Sequence, residues 1–501
     1  MPADRRGTRG LIFLSDPLLL WPDAHGVDVV WFTTEAGARH VVELDDGRRI
    51  PATTTRLTRM DRAVHRHRAR VGGLQAGGLG YRVISDGQAS PRFTLRPAPG
   101  KGSGVRLLIT SDHQAKPHTA ANMELAAATV GPVDAVIMPG DLVNSPDRAA
   151  DWFGPHPSAG DDAEIRQFLP IMQGRARSTA ANGRAYRGAP LVQNVPLYPA
   201  IGNHEVSGEL RPSSCSIDSY RQITGARPWY AVTIGNVRLI TLFVARMWRG
   251  FDVNADPRAR QRSRYQEASA DVGDPQRHGR GCFIHESIAP GSPQWQWLVH
   301  ELDSPQRRAA RYTVVQMHEG PHGLGENLTP PFADPQRHDE YDDTGELIGI
   351  RYDYDQRDNP LLNHLCPLLE EAGVQLIASG HSHLWNRFCS GDTHYFEGSN
   401  TGNSYGAYTT AQKVWRHVPP EPWQVDNYSA ADDPGGLTPQ VPTVHPLHDA
   451  HGAPLPYVAS DDHVVFQLLD TGTGVLTSWI ADMTQEEPTP VVLDRFTLTS
   501  S

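Results

Sequence analysis

The chain has 501 residues, room for about two to four domains at roughly 150 residues each. Its 46 Lys+Arg against 57 Asp+Glu leave a net charge of −11, which excludes a non-specific nucleic-acid binder, because such a protein needs a basic field to displace counterions. A hydrophobic content of 39% and a charged content of 21% suit a folded core, and 46 Gly with 41 Pro predict many loops rather than disorder. The 23 His stand out, since imidazole is both a transition-metal ligand and a proton carrier near neutral pH.

No run approaches the ~18 apolar residues that span a bilayer. The N-terminal stretch from Leu11 to Trp21 is broken by Ser15, Asp16 and Pro17 and lacks a small-residue cleavage site, so it does not read as a signal peptide. Cys215, Cys282, Cys366 and Cys389 are scattered, without a C-x-x-C pair, which suits a reducing compartment. A cytoplasmic protein with no membrane partner is expected.

Residues 1–98 read as all-β. Val27–Thr34 and Gly80–Ser85 are rich in β-branched and aromatic residues. Val64–Val71 alternates, with Val64, Arg66, Arg68 and Arg70 on one face and His65, His67, Ala69 and Val71 on the other; a solvated basic face is the simplest reading. The stretch 97–104, Pro-Ala-Pro-Gly-Lys-Gly-Ser-Gly, has linker chemistry and sets a boundary before a second domain over 104–501.

In that second domain strands alternate with helices, as in an α/β fold. Apolar strand candidates are Val105–Thr110, Asp134–Met138, Val195–Ala200, Val237–Val244, Tyr312–Met317 and Val374–Ala378. Ser145-Pro146 and Ser292-Pro293 each read as an N-cap followed by the first helical residue. After the second pair, Trp295, Leu298, Val299 and Leu302 mark an apolar face. Leu361, Leu365, Leu368 and Leu369 mark another, kinked at Pro367 and stopped by Gly373. Long polar tracts at about 154–190, 246–291, 320–360 and 403–460 read as inserts of the lid or binding-loop kind. Val464–Leu469 and Val475–Ile480 predict a closing hairpin.

Five polar clusters follow predicted strands directly: Asp112-His113-Gln114, Gly140-Asp141, Gly202-Asn203-His204-Glu205, His318, and Gly380-His381-Ser382-His383. Ligands in α/β sheets bind beyond the carboxyl ends of strands, so five distant segments are expected to converge. Two Asp, one Asn and three His supply oxygen and nitrogen donors that suit Zn, Mn or Fe. His381 and His383 share a site only if the chain turns between them, a turn that Gly380 makes cheap. A carboxylate shared by two cations offsets their repulsion, and such a pair clamps both oxygens of an in-line phosphoryl displacement.

The order D-x-x, G-D, G-N-H-E, H, G-H-x-H over residues 105 to about 390 resembles the calcineurin-like metallophosphoesterase superfamily, and a preceding β-sandwich is similar to that of purple acid phosphatases. The resemblance implies a four-layer αββα metallophosphoesterase sandwich preceded by an all-β, fibronectin-III-like domain. It also implies a dinuclear centre: Asp141 bridging, Asp112 and His383 on the first metal, and Asn203, His318 and His381 on the second. His204 would steady the phosphoryl oxygens or protonate the leaving group, and a metal-bound hydroxide would be the nucleophile.

Two departures matter. The family's first motif is D-x-H, whereas the third position here is Gln114, with His113 one residue early. The iron-binding Tyr of the purple enzymes corresponds to Asn144, so no iron–tyrosinate colour is expected. An amide oxygen is a poorer ligand than imidazole, which predicts a weak, hard or empty first site, with Gln114, His113 and Asn144 as candidates to complete it. Three readings follow: a phosphomonoesterase acting on a small phosphorylated substrate; a phosphodiesterase acting on a nucleotide-like or small diester; and a catalytically altered protein that binds a phospho-ligand through metal.

His445, His448 and His451 recur every three residues and read either as a lid or, more simply, as surface loop histidines. His322, four after His318, reads as a loop residue or a second proton donor. Asp343-Thr344-Gly345 and Asp470-Thr471-Gly472 mimic an aspartic-protease motif but sit among turn residues. Asp353–Asp358 lacks the Gly and distal Glu of a calcium loop.

Overall fold

A computed structural model describes residues 12–500 apart from 75–76, 156–162, 207–215, 245, 249–282, 286, 326–335, 354, 417–420 and 422–423. Cys215, Cys282 and most of the 246–291 tract lie outside the described residues.

The N-terminal strands form two facing sheets. One runs in the order Leu18–Asp23, Gly26–Thr33, His65–Val71, Thr53–Arg56; the other runs Arg49–Pro51, His40–Leu44, Leu79–Ser85, Gln88–Ala89, with Phe93–Leu95 also on Leu79–Ser85. Leu19, Val29, Trp31, Ala69 and Val71 of the first sheet meet Val42, Leu44, Tyr81 and Val83 of the second. The alternation in His65–Val71 puts His67, Ala69 and Val71 inside. The opposite face is ion-paired: Arg68 and Arg70 both reach Asp28, and Arg70 also reaches Asp23 at 2.5 Å.

Two further sheets carry the rest. A six-stranded sheet runs Leu197–Pro199, Ala135–Met138, Arg106–Ile109, His463–Asp470, Val475–Asp482, Val491–Thr497. Its first three strands are parallel; the last three form an antiparallel extension, one strand more than the expected hairpin. A seven-stranded sheet runs Tyr230–Ile234, Val237–Thr241, Tyr312–Glu319, Leu376–Gly380, Thr393–Gly398, Trp385–Ser390, Tyr457–Val458. Alternate residues of each strand sort into different cores, as a period of two requires. Leu107, Ile109, Ile137, Leu239, Val314 and Leu376 pack between the two sheets. Leu108, Val136 and Met138 face helix Thr119–Val130 through Ala120, Met123 and Ala126. Ile240, Val315 and Ile377 face Leu298, Leu302 and Leu369 of the helices on the other side. Helix, sheet, sheet, helix is the resulting four-layer order.

Several local expectations are corrected. Ser145-Pro146 does not start a helix: the next one runs Ala149–Phe153, and Pro146 instead offers its carbonyl to the Trp152 indole N–H at 2.9 Å. Ser292-Pro293 does start one, Pro293–Leu302, with Ser292 Oγ accepting from Trp295 N at 3.1 Å. Its buried face carries Gln294 rather than Val299, because the Gln294 amide brackets the Phe243 backbone with two 2.8 Å bonds. Around Pro367 a π-helical turn, Leu361–Leu365, leads into helix Cys366–Glu371, so the missing N–H is taken up in a widened turn. The 154–190 tract is partly built, with a helix Phe168–Met172 and a small hairpin Ser178–Thr179/Ala185–Tyr186. Residues 342–346 form the turn between paired strands Gln336–Tyr341 and Leu347–Asp353. Among the described residues no helix is long and apolar enough to cross a membrane.

Candidate active site

The five polar clusters meet where the carboxyl ends of the parallel strands of both sheets face each other. Backbone strain concentrates there. Asp112, Gln114, Asp141, His381 and His383 all take positive φ, between +39° and +85°, a region that non-glycine residues rarely occupy. The turn between His381 and His383 is therefore made by the histidines themselves. Gly380 serves close packing instead, since a Cβ there would strike Asp112 Oδ2 and Ser111 Oγ. Gly202 likewise admits Asp141, whose carboxylate and amide lie where its Cβ would sit.

One group of donors is tightly gathered. Asp141, His318 and His381 each offer a ligand atom, all within 4.8 Å of one another. Asn203 Oδ1 lies 3.0 Å from His318 Nε2 and 3.1 Å from His381 Nδ1, and those two ring nitrogens are 3.1 Å apart. His318 Nδ1 lies 2.8 Å from the Pro139 carbonyl, which fixes a proton on Nδ1 and turns Nε2 toward the cluster. A second group adjoins it. His383 Nε2 is 3.3 Å from Asp112 Oδ1, and the Asp112 carboxylate accepts the His381 backbone N–H at 3.1 Å. Gln114 joins the groups, its amide nitrogen donating to Asp141 Oδ2 while its Oε1 is buried without a partner.

The electrostatics follow from enclosure. Burial opposes ionisation of Asp141, yet His318 and His204 outweigh it and hold the carboxyl far below its ordinary range. Burial would lower His318, but the Asp141 charge pushes it up to about 10, so Nε2 carries a proton that a cation would displace on binding. Burial and the neighbouring His318 push His381 down to about 3, leaving a neutral imidazole.

His204 is placed differently. Its Nδ1 lies 2.8 Å from the Asn144 carbonyl, its Nε2 lies 3.9 Å from Asp141 Oδ2, and its side chain stays 27% exposed. Asn144 also donates to the Gln114 carbonyl at 2.7 Å, so it fixes loops with its amide and its backbone. His113 turns away from the donors: its Nε2 meets Thr110 Oγ1 at 2.9 Å and its ring packs on Phe168. His322 is buried and bonded to Asp433 at 2.8 Å, in contact with Tyr395 rather than the donor cluster. His445, His448 and His451 are all exposed, on a segment tied to edge strand Val491–Thr497 by the Val444 and His445 amides on Leu493.

Sequence reasoning gave no role to two buried carboxylates. Glu205 accepts from the backbones of Gly202, Asp141 and Leu142 at 2.7–2.8 Å, clamping the Asp141 turn to the Asn203 turn; burial pushes its carboxyl up to about 8. Glu397 does the same for the His381–His383 turn, accepting from Ser382 N at 2.8 Å and Ser399 Oγ at 3.0 Å; burial pushes it up to about 8. A lone Glu closing G-N-H-E, and one inside the apolar strand Thr393–Gly398, are the signals that mark them.

The model of the calcineurin-like phosphoesterase family matches residues 105–384, the span that holds every strand-end cluster. The chain belongs to the calcineurin-like phosphoesterase family. It is a metallophosphoesterase, an enzyme class whose chemistry is phosphoester hydrolysis assisted by metal. Its fold is similar to that of a purple acid phosphatase from yellow lupin (Lupinus luteus) seeds, at 14% identity and a TM-score of 0.51, over 96% of this chain and 73% of that one. PhoD matches at 12% identity and a TM-score of 0.47, over 98% of this chain and 92% of that one. GAP50, the anchor in the inner membrane complex of Plasmodium, matches at 11% and 0.36, over 79% and 89%. Among curated proteins there is no significant match. In this phosphoesterase the donor types and their crowding fit divalent cations: two imidazole nitrogens and an amide oxygen converge beside a buried carboxylate.

Proposed function

We propose that the protein is a phosphomonoesterase acting on a small phosphorylated substrate. The observation that carries this reading is the convergence of Asp112, Asp141, Asn203, His318, His381 and His383 from five strand ends, with His204 at the mouth. Asp141 would bridge two cations, with Asn203, His318 and His381 completing one site and Asp112 and His383 the other. Mn, Zn or Fe suits the set made by Asn203, His318 and His381. Such cations supply Lewis acidity and lower the pKa of a coordinated water.

The chain's own residues do the rest. His204, held through Asn144, presents Nε2 to a phosphoryl oxygen or hands a proton to the departing alkoxide. Glu205 holds the strained Asp141 turn against the Asn203 turn, and Glu397 holds the strained His381–His383 turn. Gln114 sets the first site apart. Turning its amide by 180° exchanges nitrogen for oxygen and aims Oε1 at the Asp141 side, which gives that site an oxygen-rich, harder donor set. In the orientation observed, its N–H occupies Asp141 Oδ2 instead, and this favours a second reading, a phospho-ligand-binding protein whose first site stays weak. A diesterase is the third. The scarcity of cysteine supports a cytoplasmic setting.

Purified protein with its metals quantified, assayed on an aryl phosphate and on the matching bis-aryl diester, separates the three. Monoester turnover that Asp141→Asn abolishes is the expected result. Diester preference selects the diesterase, and metal-replete protein inert on both selects the binding reading.

A further inference from the structure

Tyr405 lies on the 403–460 insert beside the donor cluster, its ring 4.4 Å from the His383 ring and tilted 30° from it. The His383 side chain is 2% exposed, so Tyr405 roofs a residue of the candidate metal site, yet Tyr405 is itself 43% exposed. Its position is fixed from both sides. Asn403 Nδ2 meets His383 Nδ1 at 2.6 Å, Ser404 N donates to Asp461 Oδ1 at 2.8 Å, and Gly406 N donates to Ser404 Oγ at 3.1 Å. Tyr408 bonds the Tyr405 carbonyl through its hydroxyl and the Leu324 carbonyl through its amide. The result is an aromatic ring on an anchored stretch of backbone, leaning on His383 at the mouth of a phosphoryl site, with much of its surface in water.

A held ring loses little conformational entropy on contact, and stacking is tolerant of ring identity because every base or aryl group has a π face. We infer that Tyr405 forms a stacking subsite for a planar ring on the substrate's leaving group, a nucleobase or an aryl ring. The assignment rests on the phosphomonoesterase reading for what occupies the neighbouring phosphoryl site.

Two substrate pairs isolate the ring. Adenosine 5′-phosphate and ribose 5-phosphate share the reacting group and the primary alcohol, and differ in the base. Benzyl phosphate and cyclohexylmethyl phosphate differ in planarity. For metal-replete enzyme, Tyr405→Ala is expected to lower the kcat/KM ratio of adenosine 5′-phosphate to ribose 5-phosphate about tenfold, and Tyr405→Phe to keep it within about twofold. A parallel fall in the benzyl to cyclohexylmethyl ratio assigns the subsite to any planar ring; a fall confined to the adenosine pair assigns it to a nucleobase. Unchanged ratios in Tyr405→Ala, whether both substrates slow together or neither does, would overturn the inference. Equilibrium binding of the adenosine pair by calorimetry keeps the two claims separate. A preference for adenosine 5′-phosphate that Tyr405→Ala removes supports the subsite even in a protein without turnover, and no preference in the parent protein refutes it.

Discussion

At the scale of single residues, the site gathers two imidazoles, an amide oxygen and a carboxylate around one volume, where a cation would take the place of the proton on His318 Nε2. The His318 and His381 nitrogens, the Asn203 oxygen and the Asp141 carboxylate crowd one volume, while Glu205 stiffens the turns that bring them there. Replacing Glu205 by Gln keeps the shape but swaps an acceptor for an amide facing three N–H donors. A loss of roughly 10–100-fold in activity or metal affinity is expected, read by metal titration alongside kcat. Gln114→His should move the first site the other way, raising bound zinc toward two per chain; unchanged stoichiometry would remove Gln114 as the cause of a weak site. The convergence of the six candidate donor positions was legible because each follows an apolar run directly. Glu205, Glu397 and Tyr405 were not, since their roles rest on backbone amides and rings contributed by segments far away in sequence.

Among the elements, strands were read better than helices and inserts, and the reason is physical. Buried strands of both central sheets are short apolar runs whose limits are set by polar turns, so their bounds survive to within a few residues. Ser145-Pro146 misled because a cap signal without an apolar period behind it makes a turn as readily as a helix; Ser292-Pro293 had that period. Ser292→Ala should therefore cost about 1 kcal/mol in denaturant unfolding, the usual worth of a side-chain cap. The strand His65–Val71 is expected to give the fold a pH response. His67 is enclosed by Thr33 and Thr54 and stacked 3.7 Å from His40, with His65 and Asp86 the other titratable groups acting on it. Burial, reinforced by His40, pushes it from 6.5 down to about 3. The unfolded chain then binds more protons between those values, so stability should fall as pH drops from about 6.5 toward 3. His67→Gln should flatten that slope, and an equal slope in both proteins would exclude His67 as its source.

Across the whole molecule, the N-terminal sheets are not a detached module. Phe32 packs on Phe153 at 5.0 Å, the Trp21 indole donates to the Thr224 carbonyl at 2.7 Å and its ring meets Tyr230 at 4.9 Å, and the Tyr81 hydroxyl donates to the Gln193 carbonyl at 2.7 Å. Leu18, Leu20, Val30 and Phe32 belong to the same core as Ala120, Met138 and Trp152. A boundary near residues 98–104 remains our proposal for the chain's organisation, but folding across it should be cooperative. One unfolding transition is expected, and Trp21→Ala should shift it by about 3 kcal/mol; two separated transitions would show that the interface is weak. The central claim concerns catalysis, and hydrolysis of an aryl phosphate by metal-quantified protein, beside its Asp141→Asn variant, tests it most directly. The predicted result is monoester turnover that disappears in the variant while its fold persists; metal-loaded parent protein inert on the monoester, or a variant as active as the parent, would contradict it.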